Sequence, residues 1–460
     1  MPVELRIESV QVSERPVEMR LPFQFGSTEV RRTAEAYAEV TAVVGSSEIR
    51  GVSAQLMVPR WFDKRHDQTN DDTIDTLRRT VIEAARLAGG QSGTVAALSR
   101  GLRQAVPGAL PAGTPALAAG FGPALIEMAL IDAACRAAGR TFAEAAKGDL
   151  FGMADLAPPD IAADALRHHL GGVVEPGRIE LRHTIGFDAP LFTADVTGGP
   201  EDGLPVSVEE VIARNGLKAF KIKLKGDPDR DLARLRDIAG LIDTLGTYRV
   251  TLDANEQYAP DAFTAFLAGL KGDAALHRLR EATAFVEQPF DRQTARETHA
   301  GAYDLPLVID ESDDSDDALE EARANGWAGT SIKSCKGVLR ALLNYARTRE
   351  AGGLLSGEDL TCQPGLCWQQ DTTMAAAVGV ADVERNGHHF AGGMQGAPAA
   401  EISDACTRFP GLYRVQGERP ALAISDGGVD IRALAQPGFG QSDHIDTRAN
   451  RPVSLAAKAD

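Results

Sequence analysis

The spacing of hydrophobic and polar positions changes character near residue 178. Before that point, Thr33–Val44 alternates in part and meets the turn signal Gly45-Ser46-Ser47. A second apolar stretch, Ile49–Val58, follows at hairpin distance. Residues 73–88 and Pro115–Ala137 carry apolar positions at helical spacing. The N-terminal part is therefore expected to be an antiparallel sheet with helices. From about residue 178, short apolar segments alternate with amphipathic stretches such as Asp229–Leu245 and Val338–Arg349, the rhythm of βα units around a parallel sheet. Eight strands are predicted, at Ile179–Gly186, Ala219–Leu224, Arg249–Asp253, Ala284–Gln288, Leu307–Asp310, Gly329–Ser334, Gly353–Gly357 and His389–Gly393. Eight strand–helix units fit a closed barrel better than an open doubly wound sheet. Beyond about residue 410 the character is mixed again. Gly427-Gly428-Val429 and Gln436-Pro437-Gly438-Phe439-Gly440 mark a tail expected to fold back on the N-terminal part. The division expected is an α+β domain over residues 1–155, an α/β barrel over 178–410, and a returning segment over 411–460.

Composition narrows the function. Of the 460 residues, 43% are hydrophobic and 25% charged, ordinary values for a globular enzyme, and the formal charge is −17. Such a charge repels phosphate backbones and anionic membrane surfaces, so neither nucleic acid nor membrane is expected as a partner. The start, Met1-Pro2-Val3-Glu4, lacks the basic-then-apolar pattern of a secretory signal, and the best candidate span, Pro115–Leu130, carries Glu127. Five scattered cysteines, an odd number, fit reduced thiols in a cytoplasm. Cys362 and Cys367 have no His or Cys pair to complete a zinc site.

Barrel enzymes carry their chemistry at the C-terminal ends of strands. There the second predicted strand reads Lys221-Ile222-Lys223, the third Asp253-Ala254-Asn255, the fourth Glu287-Gln288-Pro289, the fifth Asp310-Glu311-Ser312, and the sixth ends on Lys333. Side chains two apart on a strand share a face, so Lys221 and Lys223 point the same way. Steps of about 23 to 34 residues place each group on the next strand around the ring. Three carboxylates near one rim offer the hard oxygens that Mg²⁺ requires. Lysines on strands two and six, diametrically opposed in an eight-strand ring, would flank a substrate held between them. The pattern answers one chemical problem. A carbon acid next to a carboxylate is weakly acidic, and its enediolate needs a divalent cation to offset the growing charge. A lysine base also needs its pKa lowered from about 10.4, by a neighbouring ammonium or a metal ion. Taken singly, Lys221 and Lys223 read as a solvated strand end, and Asp253, Glu287 and Asp310 as capping or loop carboxylates. Taken together, they read as a site.

These ordered motifs resemble those of the enolase superfamily, and more narrowly its mandelate racemase/muconate lactonizing family, in which a Lys-x-Lys on strand two faces a lysine on strand six. The likeness extends along most of the chain: Tyr37–Val58 is similar to the capping-domain hairpin, Ala124–Gly148 to its helical part, and Gly427–Gly440 to the terminal return. It implies a modified TIM (β/α) barrel with an α+β capping domain formed by the N-terminal segment and the tail. It implies one Mg²⁺ on Asp253, Glu287 and Asp310, Lys223 and Lys333 as opposed acid/base groups, and Lys221 as an electrostatic helper. Asn255, Glu358, Asp359 and Trp61 are candidate substrate contacts. Trp61-Phe62-Asp63-Lys64 falls where the family carries a mobile covering loop, although packing within the cap explains its aromatics equally well. A small carboxylate substrate and a homo-oligomeric assembly are expected.

The chain also departs from the pattern. It is long for the group, with extra material at Gly89–Pro115 and Leu156–Arg178. It holds no histidine in the stretch Gly357-Glu358-Asp359-Leu360-Thr361 that follows strand seven. Its predicted strand eight, His389-Phe390-Ala391-Gly392-Gly393, lacks the paired acids that dipeptide epimerases use, which sets a dipeptide substrate in doubt. His388 and His389 read as structural. The activity expected is that of a racemase, epimerase or cycloisomerase. An acid-sugar dehydratase with one lysine base is the alternative, and a non-catalytic barrel the weakest reading.

Overall fold

The computed structural model describes residues 1–384, 387–416 and 419–455. The chain begins with three long antiparallel strands, β1 (Glu4–Phe25), β2 (Thr28–Val44) and β3 (Ser47–Leu56), with the short β4 (Ser92–Thr94) pairing β1. The alternation that marks β2 and β3 is broken on β1 by charged and half-buried positions, which is why the hydrophobic pattern alone did not find it. Helices Asn70–Ala88, Val95–Ala109 and Phe121–Ala138 cover this sheet. The first starts at a capping box in which Thr69 and Asp72 satisfy each other's backbone N–H groups. A Cβ on Gly51 would sit 2.1 Å from the Ala129 carbonyl oxygen, so β3 lies directly on the helix Phe121–Ala138. The run Ala116–Ala138 is long and apolar enough to cross a membrane, but 89% of its most apolar window is buried inside the protein.

One buried acid marks this sheet. Burial pushes the Glu35 carboxyl up from 4.5 to about 7, while the Tyr37 hydroxyl donates to it. Between those values only the folded chain holds the proton, so stability falls as pH rises through that window. Glu35→Gln is expected to leave stability unchanged near pH 4 and to raise it by roughly 3 kcal/mol above pH 8, read from urea midpoints at the two pH values.

Eight parallel strands follow: β5 (Arg178–Ile185), β6 (Ala219–Lys223), β7 (Arg249–Asp253), β8 (Thr283–Glu287), β9 (Leu307–Ile309), β10 (Gly329–Ile332), β11 (Leu354–Glu358) and β12 (Val383–Glu384). Each pairs the next, and β12 pairs β5 through Val383↔Leu181 and Glu384↔Arg182, closing the barrel. Helix starts between strands carry local signals, as where Asp227 caps a helix opened by Pro228. Seven strands lie at or within a residue or two of their predicted positions. The eighth does not. It is Val383–Glu384, whereas His389 belongs to the short helix Gly387–Phe390. A two-residue strand has no alternation to read, and the apolar, glycine-rich stretch after it mimics one. One acid, Glu384, ends strand eight, and Asp382 stands just before its start.

The tail returns to the N-terminal sheet. Arg451–Pro452 pairs β1 at Ser13 and Glu14, the Asp132 carboxylate accepts from the Phe439 backbone N–H at 2.8 Å, and Arg50 donates to the Ile445 carbonyl at 2.7 Å. The strand Gly428–Asp430 runs antiparallel to β5 on the outside of the barrel.

Candidate active site

The C-terminal ends of the barrel strands form a ring of charge. Lys223, Asp253, Glu287, Glu358 and Glu384 are each the last residue of their strands, and Asp310 and Lys333 are the first residues beyond theirs. Lys221 stands one inward-facing position deeper. Lys221 is 2% exposed and Lys223 6%. A solvated strand end is thereby excluded.

The Lys221 ammonium sits among four carboxylates, 3.0 Å from Asp253 and 2.8 Å from each of Glu287, Glu358 and Glu384. Lys223 approaches Asp253 at 2.5 Å and donates to the Asn255 side-chain oxygen at 2.9 Å. Lys333 contacts Asp310 at 2.5 Å and Glu358 at 2.7 Å. Lys221 thus shares Glu358 with Lys333 and Asp253 with Lys223. Burial alone lowers the pKa of Lys221 and Lys333, but the surrounding carboxylates outweigh it and hold both well above the ordinary lysine range. For Lys333 the neighbouring Lys221 ammonium is the smallest of these influences.

Glu287, Asp310 and Glu358 bring carboxylate oxygens within 4.8 Å of one another, and Asp253 joins them through Lys221. Glu358 is already held by three cations, since Arg182 reaches it at 3.2 Å besides the two lysines. Glu287 differs: apart from the Lys221 ammonium 2.8 Å from one of them, its buried oxygens have no hydrogen-bond partner. Burial first, then Asp253 and Glu358, push its carboxyl well above the usual range. In the inner ring, Asp253, Glu287, Asp310, Glu358 and Glu384 oppose Lys221, Lys223 and Lys333, a balance of 3 − 5 = −2. The buried pair Arg182–Asp382 leaves that excess unchanged.

The strand-end motifs also have structural duties. Gln288, at φ +36°, accepts from the backbone N–H groups of Asp310 and Ser312 at 2.8 and 3.1 Å, so it aligns the end of β9 with that of β8. Asn255, at φ +44°, is held in the left-handed region, where its side chain reaches Lys223. Glu311 turns away from Asp310 to Lys64 at 2.8 Å, within a turn that the Asp313 N–H closes on the Asp310 carbonyl at 3.0 Å.

The N-terminal domain roofs this ring. Phe23 and Phe25 from β1, with Val58 and Trp61 beyond β3, line one cavity together with Lys221, Lys223, Asp253, Asn255, Asp310, Lys333, Glu384 and the segment Asp359–Thr361. Trp61 lies over Lys333, with the ammonium 5.3 Å from the ring centroid. Its loop is tied to the rim by Lys64, 2.5 Å from Glu256, and by Arg292, which donates to the Trp61 carbonyl at 3.1 Å. The cavity is small, about 20 Å³, enough for about one water. Asp359 lines it, with one carboxylate oxygen accepting from the Thr361 N–H at 2.8 Å. His389 instead packs edge-on against His183 and Phe390, each at 4.7 Å between ring centroids. The His388 side chain lies outside the described residues. Cys362 and Cys367 gather with Asp371, all buried.

Sequence reading missed three members. Arg182 and Glu384 belong to the first and last barrel strands, where Arg182-His183-Thr184 and Asp382-Val383-Glu384 repeat the polar-x-polar spacing of Lys221-Ile222-Lys223; that spacing was the available signal. Lys64 carried none, because its partners lie nearly two hundred residues away.

Residues 204–442 match the family described as enolase C-terminal domain-like. No curated protein matches the chain by sequence. Solved structures resemble it along nearly its whole length at low identity. A member of the enolase superfamily from Roseovarius nubinhibens, complexed with magnesium, is 18% identical, with 98% of this chain and 99% of that one covered and a TM-score of 0.62. For the muconate lactonizing enzyme of Pseudomonas fluorescens, complexed with muconolactone, the values are 16%, 96%, 97% and 0.62. For the L-Ala-D/L-Glu epimerase of Bacillus subtilis they are 17%, 94%, 99% and 0.60.

Proposed function

The chain belongs to the enolase superfamily, and from that membership and the site's charge we propose that it removes the proton α to the carboxylate of a small carboxylic acid, with Mg²⁺ on Asp253, Glu287 and Asp310, as a racemase, epimerase or cycloisomerase. The observation that carries this reading is Glu287. Two buried oxygens that only the Lys221 ammonium approaches closely, in a ring with two negative charges in excess, suit a divalent cation with hard oxygen preference. Glu358 is the less suitable ligand, because three protein cations already neutralise it. When bound, the ion supplies positive charge that offsets the charge growing on the substrate carboxylate and weakens the hold of the protein carboxylates on the lysine protons.

The chain's own groups do the rest. Lys223 and Lys333, on strands four apart in the ring, each take or return a proton at Nζ on one face of the α-carbon. Asn255 orients Lys223, Lys221 adds fixed positive charge beneath the substrate, and Trp61 keeps water from Lys333. The roof must lift for any substrate to enter so small a cavity.

The isomerase reading is favoured over the acid-sugar dehydratase by the roof. Phe23, Phe25, Val58, Trp61 and Leu360 offer only the indole N–H as a hydrogen-bond donor from their side chains. Each sugar hydroxyl buried there without a partner costs about 1–3 kcal/mol. Muconolactone and L-Ala-D/L-Glu, named for two of the similar structures, belong to carboxylate chemistry and support the substrate class. Glu384 puts one acid at the cavity, whereas Asp382 is taken by Arg182 and by Arg249 at 2.8 Å, so the pair that would hold a dipeptide amine is not formed there. The test is a panel of acid sugars, N-acyl amino acids and muconate-like acids, incubated with enzyme and Mg²⁺ in D₂O and followed by proton NMR. Mg²⁺-dependent loss of an α-proton signal from an apolar-substituted acid is expected. Exchange that proceeds equally well with the metal chelated would overturn the proposal.

A further inference from the structure

Lys336 lies three residues beyond Lys333, and it is 3% exposed although it does not line the cavity. Its ammonium is 2.9 Å from Asp310 Oδ1, 2.9 Å from the Asp310 carbonyl oxygen and 2.8 Å from the Ser331 carbonyl oxygen. Ser331 Oγ at 3.3 Å and Asp313 at 3.5 Å complete its surroundings. Lys333 meets the same Oδ1 at 2.5 Å, and the Ser331 hydroxyl donates to it as well. One carboxylate oxygen of Asp310 is thus gripped by two ammonium groups and a hydroxyl, with its own main chain held by one of the two.

Packing gives no reason for this arrangement. A buried ion pair is often no more stable than apolar groups of the same shape, and sometimes less. What Lys336 provides, and an apolar residue cannot, is a fixed orientation of the Asp310 carboxylate. Resting on the reading of Asp310 as a metal ligand, we propose that Lys336 is a positioning residue for the divalent-cation site. Three anchor points on two residues, Oδ1 and the backbone oxygen of Asp310 with the Ser331 carbonyl, stop the carboxylate from rotating. Its second oxygen then keeps a single direction. Lys333 cannot do this alone, because a group that gives and takes protons is not a constant donor.

The test is calorimetric titration of Mg²⁺ into EDTA-stripped, full-length protein at fixed pH, for wild type, K336M, K336Q and D310N. Far-UV circular dichroism and urea midpoints report the fold of each. D310N is expected to abolish binding. K336M is expected to weaken it about 10–100-fold, the usual effect of removing a group that orients a ligand. K336Q, which keeps N–H donors without the charge, should recover part of that loss. A purely structural role would lower the urea midpoint of K336M and leave the Mg²⁺ affinity of the folded protein unchanged. That result overturns the inference, and so does tighter binding, which would make Lys336 only a competing charge. If K336M does not fold, K336Q is read in the same titration, and wild-type affinity there also overturns it. D310N that binds as wild type does would instead sink the metal-site reading on which the inference rests.

Discussion

Lys333→Ala is expected to keep exchanging the α-proton of one substrate enantiomer with D₂O and to lose interconversion of the two. Lys223→Ala should do the same for the opposite enantiomer. The two lysines end strands four apart in a closed ring of eight, and they contact different carboxylates, Asp253 for Lys223 and Asp310 with Glu358 for Lys333. Each therefore faces one side of a carbon acid held between them. Removing a positioned acid or base costs about 10²–10⁴-fold in rate, well within the range of proton NMR. The shared Glu358 adds a refinement. Lys221 shares Glu358 with Lys333 and Asp253 with Lys223, so Lys221→Ala should slow both exchanges instead of separating them. Equal loss of both exchanges in both Lys223→Ala and Lys333→Ala, with metal binding and fold intact, would refute the two-base arrangement. A defect confined to Lys223→Ala would favour a dehydratase with a single base.

Glu287→Gln should uncouple stability from Mg²⁺. Wild type is expected to gain about 2.7 kcal/mol when Mg²⁺ is present at one hundred times its Kd, and the variant to gain nothing. Without metal the order reverses. Glu287 buries a carboxylate whose one close partner is the Lys221 ammonium, itself shared with three other acids, in a ring already two charges negative, and burying such a charge is costly. The amide has the same shape and no charge, so metal-free Glu287→Gln should unfold at a higher urea concentration than metal-free wild type. The crossing of the two curves on adding Mg²⁺ is the diagnostic result. A variant that is less stable than wild type in both conditions would mean that Glu287 is structural, and that the excess charge has another destination.

The barrel and most of its chemistry were readable along the chain because both are periodic. A βα unit repeats on a scale that a hydrophobic pattern resolves, and the mouth of such a barrel lies at predictable strand ends. Lys223, Asp253, Glu287, Asp310 and Lys333 could therefore be placed around one ring from their positions alone. The failures have one physical cause, the absence of a local signal. Strand β12 is two residues long and owes its place to pairing with β5 and β11, so Glu384 was not seen at the site. The partners of Arg182, Lys64 and Lys336 depend on which side chains meet across the closed ring or between roof and rim. Coulomb forces act between residues that are near in space, however far apart they lie in sequence. Spacing thus placed the acids and lysines on one rim. Which carboxylate each lysine neutralises, and which is left with excess charge for a metal ion, followed only from packing them together in a buried space too small for water to screen them.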